Sequence, residues 1–252
     1  MKRLDATHFL LEVQLLRDKV PSFAEYPFSL PAVLKLDTLK LHPAVTYIIG
    51  ENGTGKSTLL EAIAVAWGFN PEGGSRNFRF ASRTSHSALP NYLRLERGLH
   101  QPRDGYFMRA ESFFNVATNI EELDREGGFG PPIIESYGGR SLHEQSHGES
   151  FMALLMHRFG GKGLYILDEP EAALSPSRQM AMLSRMHELV RQGSQFIIAT
   201  HSPIIMAYPD AIIYLLTETG LKTVKYTETE HFVIAKQFLN NHDKMLAILL
   251  GE

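Results

Sequence analysis

The stretch that decides the fold reads, from residue 50 to residue 58, Gly50, Glu51, Asn52, Gly53, Thr54, Gly55, Lys56, Ser57, Thr58. It satisfies the phosphate-binding loop pattern of Gly, four residues, Gly, Lys and Ser or Thr. Small residues let backbone N–H groups close around phosphate oxygens, Lys56 supplies a point charge to the β- and γ-phosphates, and the Ser57 hydroxyl binds magnesium. The β-branched run at 45–49 predicts a buried strand before the loop, and the apolar spacing from 57 to 67 predicts a helix after it.

Two further apolar runs extend this pattern along the chain. Residues 164–167 and 196–199 are continuously apolar, as in strands that a parallel sheet covers on both faces. Helical spacing from 177 to 192 separates them. A turn at Thr219-Gly220 predicts a hairpin, and a last amphipathic helix is predicted from His231 to about Leu250. The chain therefore reads as an α/β protein with a mostly parallel core sheet.

The middle of the chain differs from this core. The segments 78–80, 92–97 and 106–109 alternate like strands between loops rich in Gly, Pro and Ser. They predict an antiparallel β lobe at about 70–142, inserted in one domain whose core spans about 1–69 and 143–252.

The overall composition excludes several kinds of chemistry. The chain has 252 residues, a net charge of −3 and no cysteine, so disulfides, thiolate zinc sites, iron–sulfur clusters and a cysteine nucleophile are excluded. No stretch approaches the 18 apolar residues of a membrane span, and Glu12 interrupts the only candidate leader. We therefore expect a cytoplasmic chain.

The charge is unevenly distributed. The Arg76–Arg109 stretch holds seven arginines and two acids, whereas residues 110–149 hold eight acids and two arginines. The two stretches are predicted mainly to be adjacent solvated faces that pair with each other. The alternative is that the arginines bind nucleic acid or another anionic partner.

A second functional pattern is the acid pair Asp168-Glu169, which ends the apolar run Leu164–Leu167. A carboxylate at the end of such a strand is placed to hold magnesium, and the next one to polarise an attacking water. Asp168 is therefore the predicted metal ligand and Glu169 the predicted general base.

A competing pattern lies at residues 143–147, which read His143, Glu144, Gln145, Ser146, His147. This is the H-E-x-x-H arrangement of zinc peptidases, which needs one helix across all five residues. The glycines at 138, 139 and 148 leave little room for that helix. A zinc metallopeptidase is therefore an unfavoured alternative.

Four phrases carry a family resemblance. They are FMRAESFFNVAT at 107–118, SHGESF at 146–151, LDEPEAALSP at 167–176 and ATHSPI at 199–204. With the phosphate-binding loop they resemble the ABC/SMC-like ATPase superfamily over nearly the whole chain. More narrowly, they resemble small stand-alone bacterial ATPases that are sometimes classed as AAA-like.

The resemblance implies an ABC-type ATPase head that binds ATP and Mg²⁺ and forms a head-to-tail homodimer around two nucleotides. It implies that Ser146, Gly148 and Glu149 form a signature that reaches the ATP of the other subunit, and that His201 is a switch histidine. Two positions depart from the family pattern. His147 stands where a second Gly is usual, and the Gln that follows the lobe is missing, with Glu111 or Arg109 as its candidate replacement and Glu111 as a candidate metal ligand.

The sequence thus favours an ATP hydrolase whose dimer closes and opens with turnover. No Asn-Lys-x-Asp guanine-reading motif is present, which argues against a GTPase. A nucleotide-sensing regulator that does not hydrolyse ATP is the main alternative.

An unidentified protein partner is expected, in DNA repair, defence or transport. The absence of heptads between Lys56 and Asp168 argues against a self-contained DNA tether.

Overall fold

The computed structural model describes residues 8–76, 87–110, 113–127 and 131–251. The strands are β1 (Leu10–Leu15), β2 (Thr38–Lys40), β3 (Val45–Ile49), β4 (Leu93–Arg97), β5 (Asp104–Arg109), β6 (Gly163–Asp168), β7 (Gln195–Ala199), β8 (Ile212–Thr217) and β9 (Gly220–Val224). The α-helices are α1 (Pro31–Leu34), α2 (Lys56–Trp67), α3 (Phe113–Glu126), α4 (His147–Ala153), α5 (Pro176–Arg191), α6 (Glu230–Asn240) and α7 (His242–Leu250).

The core is a six-stranded sheet in the order β5-β6-β7-β3-β8-β9. The first five strands in this order pair in parallel, and β9 pairs antiparallel to β8. Every residue of β3, β6 and β7 is buried, because apolar clusters cover both faces of the sheet. The predicted α/β class with a mostly parallel sheet is confirmed.

Three of the other predicted elements are confirmed, and the last predicted helix is not. Helices α2 and α5 and the hairpin of β8 with β9 lie where the sequence predicts them. The single helix predicted from His231 to Leu250 is wrong, since Asn241 has non-helical φ −139° and ψ 37° and separates α6 from α7. None of the helices among the described residues has the length and apolar character needed to cross a membrane.

A second, three-stranded antiparallel sheet has the order β2-β1-β4. Its β4 confirms an antiparallel strand within the predicted lobe, but β1 and β2 come from before the phosphate-binding loop. The placement of residues 106–109 in that lobe is wrong, because β5 pairs in parallel with β6 at the edge of the core sheet. The predicted strand at 78–80 lies outside the described residues, and the 70–142 lobe boundaries stay a prediction.

A buried polar network attaches β5 to the core. Asp104, at the start of β5, accepts hydrogen bonds from Arg158 Nη1 at 2.7 Å and from the Tyr165 hydroxyl at 2.7 Å. The backbone N–H of Gly160 donates to the same carboxylate at 2.9 Å. These donors lower the pKa of Asp104 against the opposing effect of its burial. The position of β5 is therefore set by partners that lie more than 50 residues away along the chain.

Candidate nucleotide-binding site

The phosphate-binding loop follows β3 and leads directly into α2, as predicted. Gly55 precedes the first residue of α2 with φ 95°, and a Cβ at this position would lie 3.1 Å from side-chain atoms of Ala32 and Leu30. The N–H of Ala32 donates to the carbonyl of Thr54 at 3.0 Å, so the short helix α1 supports the loop from below. Glu51, Asn52 and Gly53 remain exposed at the top of the loop.

Lys56 lies beneath this loop with 4 % exposure. Its Nζ donates to the carbonyl oxygens of Gly50 and Glu51, each at 2.8 Å. Burial lowers its pKa, and the carboxylates of Glu169 and Asp168 oppose that shift. The ammonium group is thus held by two neutral carbonyls at the mouth of the loop, where an anionic phosphate is a stronger partner.

A hydrogen bond joins the loop to the end of strand β6. Ser57 Oγ donates to Asp168 Oδ1 at 3.1 Å, and Asp168 is only 6 % exposed. A hydroxyl and a carboxylate this close supply the oxygen ligands that Mg²⁺ prefers. Ser57 and Asp168, predicted as metal ligands from separate motifs, are therefore brought together and fit the ion.

Glu169 and His201 lie side by side at the carboxyl ends of β6 and β7. Glu169 has φ 50°, and its N–H donates to the carbonyl of Ala199 at 2.9 Å. Its Oε1 lies 3.6 Å from His201 Nε2. Burial lowers the pKa of His201, the Lys56 charge lowers it further, and Glu169 opposes the shift, so the neutral imidazole is favoured. The predicted base and the predicted switch histidine thus share one edge of the sheet.

Sequence reasoning missed the role of Glu171, which lies in the LDEPEAALSP phrase. Its carboxylate accepts from Thr200 Oγ1 at 2.7 Å and from the His201 backbone N–H at 2.5 Å. Burial raises the pKa of Glu171. This side chain joins the segment after β6 to the segment after β7 and so positions His201.

The predicted signature lies at the start of α4. Ser146 caps the helix, accepting from the Glu149 N–H at 3.4 Å, while Glu149 Oε2 accepts from the Ser146 N–H at 2.9 Å. Gly148 is buried, and a Cβ there would lie 2.5 Å from both the Ala173 carbonyl and Arg178 Nη1. In the described part of the chain, no hydrogen bond or ion pair joins 146–149 to 50–58.

The structure does not support the zinc alternative at residues 143–147. Helix α4 begins only at His147, so His143 and His147 do not share a helix face. His143 Nε2 instead lies 3.2 Å from Thr118 Oγ1. Among the described residues no group of three or more His, Cys, Asp or Glu side chains is placed to hold a metal ion.

The arginine-rich stretch divides into held and exposed side chains. Arg109 forms an ion pair with Glu61 of α2 at 2.6 Å, and Arg97 lies over the Trp67 ring at 4.4 Å. No ion pair between described residues joins this stretch to the acids of 110–149, so the predicted pairing of the two stretches has no support there. Glu111 and two of the arginines lie outside the described residues, and three other arginines are exposed: Arg76, Arg94 and Arg103.

Two family models and several known proteins match parts of this chain in sequence. Residues 33–125 match a family model described as an AAA domain. Residues 134–207 match one described as "AAA domain, putative AbiEii toxin, Type IV TA system". The chain is 28% identical over 221 residues to the putative ABC transporter ATP-binding protein TTE0246 of Caldanaerobacter subterraneus, covering 82% of this chain and 86% of that protein. It is 29% identical over 156 residues to the chromosome partition protein Smc of Methanocaldococcus jannaschii, covering 53% of this chain but only 13% of Smc.

Solved structures show the same fold. An inward-facing putative metal-chelate type ABC transporter matches with a TM-score of 0.51 at 18% identity, covering 90% of this chain and 88% of that one. The ATP-binding cassette MJ1267 matches with a TM-score of 0.51 at 19% identity, covering 84% of this chain and 89% of that one. The chain is thus similar in sequence to ABC and SMC ATPases, and it shares the fold of ABC ATP-binding cassettes.

Proposed function

We propose that this chain binds ATP with Mg²⁺ and hydrolyses it at a site that a second copy of the chain completes. The observation that carries the proposal is the 3.1 Å contact between Ser57 and Asp168, with Glu169 next to it at the same end of β6. A module that only binds the nucleotide needs no more than Ser57 and Asp168. The additional carboxylate of Glu169 supplies the base that general-base hydrolysis requires.

Each side chain then has a distinct task. Lys56 holds the β- and γ-phosphates, and Glu169 takes the proton from the attacking water. Mg²⁺ held by Ser57 and Asp168 would neutralise the negative charge that develops on the phosphate oxygens. His201 donates from its Nε2 toward the γ-phosphate, held in place by Glu171.

The exposed signature turn at 146–149 supports the need for a second copy of the chain. Ser146 and Glu149 are exposed, and their hydrogen bonds run within their own turn. A head-to-tail arrangement would place this turn of one protomer over the phosphate-binding loop of the other. ATP would then close the dimer, and hydrolysis would open it, because the nucleotide lies in the interface.

The test is the substitution Glu169→Gln, which keeps the shape of the side chain and removes the base. We expect turnover to fall by about 10² to 10⁴-fold, since this is the usual contribution of a general base. ATP binding should persist, and light scattering after gel filtration should show a dimer with ATP and Mg²⁺. Glu188→Gln on α5, which makes the same chemical change at an ion pair with Arg185, is the matched control.

Two outcomes would contradict parts of the proposal. Unchanged hydrolysis in Glu169→Gln would remove Glu169 as the base. ATP binding without turnover by the unmodified chain would favour the alternative, a nucleotide-sensing regulatory module.

The partner of the closed dimer is a separate part of the proposal. Exposed Arg76, Arg94 and Arg103 offer planar donors to phosphate, which supports a nucleic-acid contact, in addition to an unidentified protein partner in repair, defence or transport. Affinity purification with the Glu169→Gln variant, with and without nuclease treatment, would test this. Loss of captured partners after nuclease treatment would indicate nucleic acid, and their retention would indicate a protein.

A further inference from the structure

A second histidine lies behind the switch histidine. His201 Nδ1 is 3.2 Å from Nε2 of His231, which lies in the first turn of α6. The start of this helix is well defined, because Thr229 is buried and its Oγ1 accepts from the Phe232 N–H at 3.3 Å. Thirty residues separate the two histidines in the sequence, and no motif includes His231.

The neutral form is favoured in both imidazoles. Burial lowers the pKa of His231, and the neighbouring His201 lowers it further. Burial is also the largest cause of the lowered pKa of His201. Two neutral rings in contact share one N–H between the facing nitrogens, so one ring must be the donor and the other the acceptor.

The carboxylate of Glu169 decides which ring donates. If His201 donated from Nδ1, its Nε2 would carry a lone pair 3.6 Å from Glu169 Oε1, and the two would repel. If His231 donates from Nε2, His201 carries its proton on Nε2 and presents an N–H on the carboxylate side. Within the described part of the chain His201 Nε2 is buried without a hydrogen-bond partner, so a phosphate oxygen that reached it would supply the acceptor that this N–H lacks.

We propose that His231 is a positioning residue that donates to His201 Nδ1 and holds His201 as the Nε2–H tautomer. Only this tautomer of the neutral ring can donate from Nε2 to a phosphate oxygen. The inference deepens the proposed function and rests on it for its catalytic consequence. His231 also lines, with residues 50–52 of the loop, a cavity of about 860 Å³ between the loop and α6, so a ligand in this cavity contacts both parts.

The first experiment measures the tautomer itself. Ring-¹⁵N-labelled histidine NMR, assigned with His201→Gln, should show His201 protonated on Nε2. His231→Gln should preserve this state because its amide N–H can donate, whereas His231→Met, similar in size but without a donor, should shift His201 toward a mixture of tautomers. An Nδ1–H His201 in the unmodified chain would overturn the inference. This readout needs no turnover, so it is independent of the ATPase proposal.

The second experiment measures turnover. We expect His231→Met to lower kcat about tenfold while the KM for ATP stays within about twofold, because the loss is in positioning a donor for the reaction. His231→Gln should remain within about threefold of the unmodified chain. His242→Met, at an exposed position on α7, is the matched control, and thermal unfolding checks the fold of each variant. Equal loss in the Met and Gln variants would show that His231 acts only by packing.

Discussion

The phosphate-binding loop and the signature turn at 146–149 are built in opposite ways. Lys56 and Asp168 are 4 % and 6 % exposed. Lys56 donates to carbonyls of its own loop, and Asp168, which ends β6, accepts from Ser57 of the same loop. Ser146 and Glu149 are exposed and bond mainly to each other. Hydrogen bonds lower the pKa of Glu149, first of all that from the Ser146 side chain.

This difference separates two kinds of half-site. The loop, β6 and β7 form a preorganised cluster that one chain assembles alone, whereas the turn has a defined shape but no nucleotide-binding neighbour in the described residues. A preorganised turn on the surface is the form that a contact with another molecule requires. Substitutions that damage the two half-sites separately can test whether that molecule is a second copy of the chain.

The largest effect is expected from damaging each half-site separately. Lys56→Ala removes the positive charge from the loop. Ser146→Arg places a long cation on the signature turn, and losing the Ser146 helix cap lowers the free energy of unfolding by about 1 kcal/mol. Each variant alone should lose ATPase activity by about 10² fold or more, because every site of its homodimer is damaged. An equal mixture should recover about a quarter of the sites, since a head-to-tail heterodimer has one intact site.

Steady-state hydrolysis of the mixture measures this recovery. Ser136→Arg, which introduces the same charge at another exposed serine, should keep full activity. A mixture no more active than its components would refute completion of the site by a second copy. Micromolar ATP affinity retained in Lys56→Ala would refute the role of the loop.

The parts of the fold that are close together in the sequence could be predicted from it. The strand at 45–49, its loop and α2 lie within about 25 residues, so local spacing identifies them. Residues 105–108 of β5 are buried, and this short apolar run was a signal for a core strand. The sequence pattern nevertheless places this run in the lobe, because alternation does not reveal which strand a segment will pair with.

Contacts distant in sequence were the least predictable part of the site. Asp168 and Ser57 were found because each belongs to a motif with its own chemistry. His231 belongs to none, and it reaches the site only because α6 folds against it. The contact of α4 with the segment after β6 could not be predicted from the sequence either. This contact explains why residue 148 is glycine, since a larger residue would meet the Ala173 carbonyl.

A smaller effect is expected at Gly148, beneath the exposed turn. In Gly148→Ala the new methyl would lie 2.5 Å from the Ala173 carbonyl and from Arg178 Nη1, and only the arginine can move aside easily. We expect a loss of about 1 to 3 kcal/mol in the free energy of unfolding. Gly160→Ala, where the nearest atom is 3.7 Å from the added carbon, is the control, and an unchanged midpoint in urea for Gly148→Ala would contradict this packing.

The smallest expected effect is on the pH dependence of stability, and it comes from the histidines of the preorganised half-site. The pKa values of His201 and His231 are lowered in the folded chain, so the unfolded chain takes up protons first as the pH falls through about 6.5. Their contribution to stability is therefore complete above this pH and is lost as the pH falls through the folded-state pKa values. Between pH 7 and pH 5 the thermal midpoint should fall by about 2 to 4 °C less in a His201→Gln, His231→Gln double variant than in the unmodified chain. If the double variant kept the full fall in midpoint, the half-buried histidine pair would not be the group that couples this fold to pH.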